Sequence, residues 1–260
     1  MKEKIAFSID SSLLKKVDAM VDGVRVKSRS HGLEILIRRA LGEEDVTGAL
    51  ILAGGERKSD SYSTIRPMFE FEDKPVLQHI IEWLKKFGIT KITISVGYLR
   101  EEIEAYFRDG HDFGVSIDYM REDEPLGTAG PLYLAKSRFN STFVVIYADV
   151  LCDVDLADMI ADHKHSKAIA TIALKEVKEA YKYGVASLDG HRISEFVQKP
   201  EKGKETSNLI NAGVYVFEPS IFEHVPKKGM LETEVFGKLS KKKSLNGYVF
   251  SGRWIEVSTI

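Results

Sequence analysis

The start of the chain first alternates apolar with polar residues and then changes to a helical spacing. In the segment KIAFSID at 4–10, every second residue is apolar, which is typical of a strand with one buried face. The segments LLKKVDAMV at 13–21 and GLEILIRRAL at 32–41 instead place apolar residues along one face of a helix. This pattern predicts one strand followed by two helices. The residues able to cap these helices have short side-chain oxygens: Asp10 or Ser11 for the first helix, and Ser28 or Ser30 for the second.

From Thr47 onward, apolar segments of strand length alternate with amphipathic segments of helix length. Strands are predicted at the most apolar segments, which are GALILAGG at 48–55, KITISVGY at 91–98, VSIDYM at 115–120, FVVIYAD at 143–149 and IATIAL at 169–174. Helices are predicted between the strands, at KPVLQHIIEWLKKFGI (74–89) and LREEIEAYF (99–107). The alternation predicts a parallel-rich α/β sheet with helices on its faces, whose ligands bind at the carboxyl ends of the strands.

The composition is that of an ordinary globular protein. The chain has 260 residues and a formal net charge of -2, with 43% hydrophobic and 29% charged residues. No apolar run approaches the roughly 20 residues that span a bilayer, and charged residues interrupt the start of the chain too often for a secretion signal. The single cysteine, Cys152, excludes an internal disulfide and favours a reducing compartment. We therefore expect a cytoplasmic protein.

The charge is distributed unevenly between the two ends of the chain. Residues 1–42 carry nine basic and five acidic side chains, a net charge of +4, so the remainder carries -6. The change of charge coincides with the change of hydrophobic pattern. We therefore predict two domains, at residues 1–45 and 46–260.

The N-terminal unit is too small to be stable alone, because its strand has no partner and its core is minimal. The simplest solution is a homodimer in which two copies of the strand pair and the four helices interleave. This stretch resembles the ribbon-helix-helix family of DNA-binding proteins through KIAFSID at 4–10, VKSRS at 26–30 and LIRRAL at 36–41.

The resemblance implies that the paired strands enter the major groove of double-stranded DNA and that the second helix begins at a DNA phosphate. The residues implied to face base edges are Lys4, Ala6 and Ser8, and those implied to bind phosphate are Ser28, Arg29 and Ser30. The alternative is a dimerisation arm that does not contact DNA.

The larger unit resembles the sugar-1-phosphate nucleotidyltransferase family. The motifs that carry the resemblance follow the family's order, and they include LAGG at 52–55, EPLGTAGPL at 124–132, YADVLCDVDL at 147–156, NLINAGVYVFEP at 208–219 and GRWIEVST at 252–259. The resemblance implies an α/β fold with a Rossmann-like nucleotide-diphospho-sugar transferase sheet. It also implies a Mg²⁺-dependent reaction in which a sugar-1-phosphate oxygen attacks the α-phosphorus of a nucleoside triphosphate and pyrophosphate leaves.

The family's functional positions can be carried over to this sequence residue by residue. Positions implied to contact nucleotide or sugar are Gly54, Gly55, Gly127, Thr128, Gly184 and Asn211. Positions implied to hold Mg²⁺ are Asp149 and Glu256, and the cations implied to serve catalysis are Arg57, Arg66 and Lys199. Five of these positions also have a plain structural explanation: Gly127 and Gly184 suit turns, Asp149 and Asn211 suit capping, and Lys199 suits a solvated strand end.

Four positions depart from the family's pattern, and all belong to the reaction centre. The loop GGERKSDSYSTIRP at 54–67 lacks a later glycine, which in the family lets backbone amides surround the triphosphate. Arg66 replaces a lysine, Gln198 an acid and Glu256 an aspartate.

These departures favour a ligand-responsive transcriptional regulator that binds a nucleotide, sugar phosphate or nucleotide sugar with impaired catalysis. The alternative is an active sugar-1-phosphate nucleotidyltransferase with a dimerising or autoregulatory N-terminal arm. A third hypothesis is a structural dimer with neither activity.

Overall fold

The computed structural model describes residues 6–21, 23, 26–40, 46–54 and 65–257. Its strands are β1 (Gly48–Ala53), β2 (Glu70–Phe71), β3 (Lys74–Pro75), β4 (Lys91–Val96), β5 (Ser116–Arg121), β6 (Phe143–Tyr147), β7 (Val150–Cys152), β8 (Ala170–Glu176), β9 (Gly184–Asp189), β10 (Arg192–Gln198), β11 (Leu209–Phe217), β12 (Leu245–Val249) and β13 (Trp254–Glu256). Its α-helices are α1 (Ser11–Asp18), α2 (Arg29–Ala40), α3 (Val76–Lys86), α4 (Arg100–Phe107), α5 (Ala129–Leu134), α6 (Leu156–Ser166) and α7 (Gly237–Lys241).

Nine of these strands form one mixed sheet in the order β5-β4-β1-β6-β11-β8-β12-β10-β9. The first four pair in parallel, as the sequence predicts. The expectation of a parallel-rich sheet holds only in part for the rest: β12 pairs with β8 in parallel, but β11 runs antiparallel to both β6 and β8, and β10 pairs antiparallel with β9 and β12. The turn between β9 and β10 contains Gly190 at φ +62°, and such short turns join only antiparallel strands.

Helix α3 shows why the predicted elements form where they do. Its buried residues are those of the apolar stripe: Val76, Leu77, Ile80, Ile81 and Leu84. After the helix ends, Gly88 adopts φ +79°, the left-handed conformation that favours glycine past a helix C-terminus. The periodicity and the terminating glycine are therefore both confirmed.

The core lies on both faces of the sheet. Ala49, Ile51 and Ala53 of β1 pack into one cluster with α3, whereas Leu50 packs into the other cluster with β8 and β11. The near-continuous apolar sequence of β1 reflects this double burial. Packing on both faces consequently fixes the position of the strand, and Gly54 follows directly at its carboxyl end.

The N-terminal unit has its two helices at the predicted places. Asp10 caps α1 by accepting a hydrogen bond from the Ser12 amide at 2.8 Å, and the Ser28 hydroxyl accepts one from the His31 amide at 3.2 Å at the start of α2. The predicted strand is not formed in the described residues 6–10. A lone ribbon strand has no neighbour with which to form a ladder in a single chain.

Half of the described apolar side chains predicted to form one face of this unit are exposed. Val17 and Val26 are buried, but Phe7 and Leu13 are 58% and 50% exposed, and Ile37 is 49% exposed. The boundary between domains 1–45 and 46–260 stays a prediction, since residues 41–45 lie outside the described residues. In the parts of the chain that the structure describes, none of the helices has the length and apolarity needed to cross a bilayer.

Candidate functional site

Gly54 follows β1 and lies directly against a buried carboxylate that the sequence reasoning missed. A Cβ at Gly54 would fall on Oε1 of Glu122, which follows β5. That oxygen also accepts a hydrogen bond from the Ser95 hydroxyl at 2.7 Å. Burial raises the pKa of Glu122 above its usual range. Gly54 is thus a glycine because a side chain would displace Glu122, while Gly55 and Arg57 lie outside the described residues.

Two predicted site residues of opposite charge meet each other. Arg66, in a 3-10 turn at Arg66–Met68, donates from Nη1 to Oδ2 of Asp149 at 3.1 Å. Asp149 lies beyond the end of β6, at the edge where the carboxyl ends of the parallel strands gather. The structure therefore places Arg66 at the carboxylate implied to hold Mg²⁺.

The two carboxylates implied to bind metal are brought to neighbouring strand ends. Glu256 of β13 lies opposite Val150 of β7, and the Val257 amide donates to the carbonyl oxygen of Asp149 at 2.9 Å. The Tyr183 hydroxyl hydrogen-bonds to Glu256, and burial first and then this acid raise the pKa of Tyr183. No cluster of three or more metal-binding side chains occurs among the described residues. A pair of carboxylates still suits Mg²⁺, which completes its shell with water and substrate phosphates.

The loop that carries Gly127 and Thr128 is fixed by the segment around Gly229. Gly127 adopts φ +73°, and a Cβ there would collide with the carbonyl oxygen of Gly229. The Ala129 amide donates to that same carbonyl at 3.0 Å. Gly127 is therefore required for both the turn and the close approach of two backbones.

Thr128 begins a buried hydrogen-bond network whose other members the sequence reasoning missed. Its hydroxyl donates to Oε2 of Glu232 at 2.8 Å, and the Tyr147 hydroxyl donates to Oε1 of the same carboxylate. Glu232 is only 6% exposed. The segment around it also contains the exposed Thr233 and Glu234, so nothing in the sequence alone marks Glu232 as the buried acid.

Asn211 and Gly184, implied to contact sugar, lie on the antiparallel half of the sheet. The Asn211 amide donates from Nδ2 to the Tyr215 hydroxyl at 2.8 Å, and its Oδ1 accepts from the Gly213 amide at 3.0 Å. A Cβ at Gly184 would lie 2.6 Å from Oε1 of Gln198. That oxygen is buried and has no hydrogen-bond partner among the described residues.

Lys199 follows Gln198 in an unusual backbone conformation. Its φ is +46°, and its amide donates to the carbonyl oxygen of Tyr183 at 2.9 Å. Few non-glycine residues adopt positive φ, and such strain is more common at functional sites. Lys199 is exposed, so its ammonium lies in solvent at the strand end.

Some of the residues implied to contact DNA have hydrogen-bond partners within the N-terminal unit, and others are exposed. Arg29 forms a bidentate pair with Asp18 at 2.7 and 2.8 Å, and Ser28 caps α2, so both have partners within the unit. Ala6, Ser8 and Ser30 are exposed, and Lys4 lies outside the described residues. The neighbouring Lys27 forms an ion pair with Asp155, the N-cap of α6.

Comparison with known proteins places this site in a known family. Residues 48–260 match the nucleotidyl transferase family model. The chain is 36% identical over 220 residues to the mannose-1-phosphate guanylyltransferase catalytic subunit beta of Drosophila pseudoobscura pseudoobscura, covering 81% of this chain and 59% of that protein. It is also 36% identical over 220 residues to the mannose-1-phosphate guanyltransferase of Schizosaccharomyces pombe, covering 80% and 60%. The chain thus spans about three fifths of the length of these relatives.

A solved structure shows the same fold. The crystal structure of HddC from Yersinia pseudotuberculosis complexed with GMP-PN superimposes with a TM-score of 0.68 at 27% identity. The match covers 82% of this chain and 94% of HddC.

Proposed function

Because this chain belongs to the nucleotidyl transferase family, we propose that it transfers a nucleotidyl group, and specifically a guanylyl group, to a sugar-1-phosphate. The observation that carries the proposal is the meeting of Arg66, Asp149 and the Glu256 strand at one edge of the sheet. A cation and two carboxylates in one place suit a displacement between anions, which needs charge neutralisation more than proton transfer.

In the proposed reaction, an oxygen of the sugar phosphate attacks the α-phosphorus of GTP. The new phosphorus–oxygen bond forms as the bond to the β-phosphate oxygen breaks, and pyrophosphate leaves with that electron pair. Of the three cations implied to serve catalysis, Arg66 and Lys199 lie in the described residues, and they would neutralise phosphate oxygens. Substrate phosphates would compete with Asp149 for Arg66, since both are anions that pair with a guanidinium.

Mg²⁺ would be held by Asp149 and Glu256. When bound, it supplies Lewis-acid stabilisation of the negative charge on the phosphates. The Val257 amide and the Tyr183 hydroxyl orient the two strand ends that carry these carboxylates. Both groups therefore act on metal binding without contacting the metal.

Glu122 gives a physical reason to favour guanine. Its Oε2 receives, among the described residues, only a long contact of 3.4 Å from the Leu126 amide. A carboxylate is an acceptor, and guanine is the base that presents two adjacent N–H donors on its pairing edge. Its place between Gly54 and the Gly127 loop, both implied to contact the nucleotide, agrees with this role.

The proposal is tested by pyrophosphate release from the full chain with Mg²⁺ and mannose-1-phosphate or glucose-1-phosphate. Each sugar phosphate is combined in turn with GTP, ATP, UTP and dTTP. We expect GTP to give the highest kcat/KM, and we expect Glu122→Gln to lower kcat/KM for GTP by about 10- to 100-fold, as loss of a two-donor base contact would. If no combination releases pyrophosphate, the proposed enzyme activity is contradicted and the hypothesis of a regulator with impaired catalysis is favoured.

The N-terminal unit carries a second proposal, which is dimerisation. Leu13 of α1, Ile37 of α2 and Phe7 just before α1 are exposed, and a second copy of the chain would cover these apolar side chains. Double-stranded DNA as a further partner stays a prediction from the resemblance to ribbon-helix-helix proteins, as does transcription regulation.

Light scattering on the eluting protein tests the dimer. We expect the intact chain to be a dimer and Ile37→Glu to be a monomer, with Lys16→Glu on the exposed side of α1 as the matched control. A monomeric wild-type chain would contradict this proposal. Salt-dependent binding of a DNA duplex, weakened in Lys4→Ala, is the measurement for DNA contact.

A further inference from the structure

Hydrogen bonds and an aromatic contact form a network that connects Thr128 with Asn211 beneath the proposed site. Thr128 and Tyr147 both donate to Glu232, Asn211 donates to Tyr215, and the Tyr147 and Tyr215 rings pack edge to face with their centroids 5.5 Å apart. Thr128 belongs to the loop implied to contact the nucleotide, and Asn211 to the strand implied to contact the sugar. The network thus joins two substrate subsites that lie far apart in the sequence.

Glu232 accepts hydrogen bonds from both the Thr128 and the Tyr147 hydroxyls, while Tyr215 accepts one from Asn211. The Tyr147 and Tyr215 rings pack edge to face against each other, so a change at Glu232 that moves the Tyr147 ring also acts on Tyr215 and, through it, on Asn211.

We propose that Glu232 is a positioning residue that sets the orientation of Thr128 on the nucleotide side and of Asn211 on the sugar side of the site. The inference rests on the proposed function, since it assigns these two sides to nucleotide and sugar. Glu232 begins a π-helical turn at Glu232–Phe236, a rare geometry that is frequent at functional sites. Leu231, Val235 and Phe236 around it are fully buried, so the Glu232 carboxylate lies among apolar side chains.

The Asn211 branch has only one possible orientation. The Gly213 amide donates to Oδ1, which leaves Nδ2 to face Tyr215. A break in the regular pairing of β11 with β8 between Asn211 and Tyr215, where Gly213 has φ +77°, brings these two side chains together. Among the described residues each amide atom of Asn211 makes one of these bonds, so one N–H and one lone pair remain for a ligand.

The direction of the hydrogen bond between Thr128 and Glu232 can be reversed by a substitution, because a hydroxyl both donates and accepts. The Thr128 hydroxyl accepts from the Leu231 amide at 2.8 Å and donates to Glu232 at 2.8 Å. In Glu232→Gln, the amide oxygen is expected to face Tyr147 and the amide nitrogen to face Thr128. The hydrogen bond between Asn211 and Tyr215 would remain after this change, and the Thr128 hydroxyl hydrogen would lose its acceptor.

The two branches therefore predict different kinetic effects. Tyr215→Phe should raise KM for mannose-1-phosphate by about 3- to 10-fold and leave KM for GTP unchanged, since one hydrogen bond to Asn211 is lost. Glu232→Gln should raise KM for GTP by a similar factor and spare mannose-1-phosphate. Glu232→Leu should raise KM for GTP and KM for mannose-1-phosphate. A merely structural network would lower thermal stability and change both constants together.

The matched control is Tyr119→Phe, since the Tyr119 hydroxyl has no hydrogen-bond partner in the described part of the chain. If wild-type protein turns over and Tyr215→Phe behaves as Tyr119→Phe does, the positioning role is overturned while the proposed function stands. Calorimetric titration of GTP and of mannose-1-phosphate gives the same comparison without turnover. Wild-type protein that binds neither compound would overturn the proposed function and the positioning role together.

Discussion

Arg66 and Asp149 form an ion pair at 3.1 Å, so a residue implied to serve catalysis and a residue implied to hold Mg²⁺ neutralise each other. Their side chains are 38% and 24% exposed, which leaves both open to substrate. A charged ligand that binds here must therefore replace one partner of this ion pair. In the proposed reaction, phosphate binding to Arg66 would thus be linked to Mg²⁺ binding at Asp149.

Replacement of Asp149 should abolish turnover. Asp149→Asn removes one of the two carboxylates available to Mg²⁺ and the partner of Arg66, and we expect kcat/KM to fall by at least about 100-fold. Pyrophosphate release at several Mg²⁺ concentrations measures the effect. Asp112→Asn, at an exposed acid away from the site, is the matched control. Retention of more than half the activity in Asp149→Asn would contradict the assignment of Asp149.

Gly54→Ala should destabilise the protein. The new Cβ would displace Glu122 from its hydrogen bond with Ser95, and such overpacking typically lowers the free energy of unfolding by about 1–3 kcal/mol. Urea unfolding measures the change. Gly237→Ala is the control, because a Cβ there meets no atom within 4 Å and alanine favours the helix by about 1 kcal/mol. Equal stability of the two variants would show that Glu122 moves aside without cost.

The stability of the chain should fall in acid through Glu218. A hydrogen bond from His163 at 3.1 Å is the main reason that the pKa of Glu218 is lowered from 4.5, and Thr142 donates to it at 2.9 Å. A carboxyl with a lowered folded-state pKa stabilises the fold above its unfolded pKa and loses this contribution as the pH falls through its folded pKa. Wild-type protein should therefore lose its advantage over Glu218→Gln below about pH 4.5, as the lowered pKa requires. A difference in the free energy of unfolding between wild-type and Glu218→Gln protein that stays constant from pH 6 to pH 3 would contradict this prediction.

Cys152 should resist alkylation in the folded protein. Burial raises the pKa of its thiol from 9.0 to about 12, which lowers the fraction of reactive thiolate by about 1,000-fold. Labelling with iodoacetamide at pH 8, with and without denaturant, measures the protection. Rapid labelling of the native chain would show that β7 opens readily.

Local pattern was enough to predict the elements that depend on near neighbours. The stripe of α3, the caps at Asp10 and Ser28, and the strands β1, β4, β5 and β6 each rest on contacts within a few residues or on one buried face. The topology of parallel strands then places Asp149 at the sheet edge. Periodicity could not predict the antiparallel half, because strand direction depends on which distant segments pair.

The residues that complete the site came only from the folded chain. Thr128 and Glu232 are 104 residues apart and Tyr147 and Glu232 are 85 apart, so no window of sequence contains both partners. Glu122 likewise meets Gly54 only when β1 and β5 are in place. Resemblance to a family could name the residues implied to contact substrate, because their types follow from the chemistry of phosphates and metal. The buried acids Glu122 and Glu232 depend on packing across the whole domain, and that packing is what the three-dimensional structure adds.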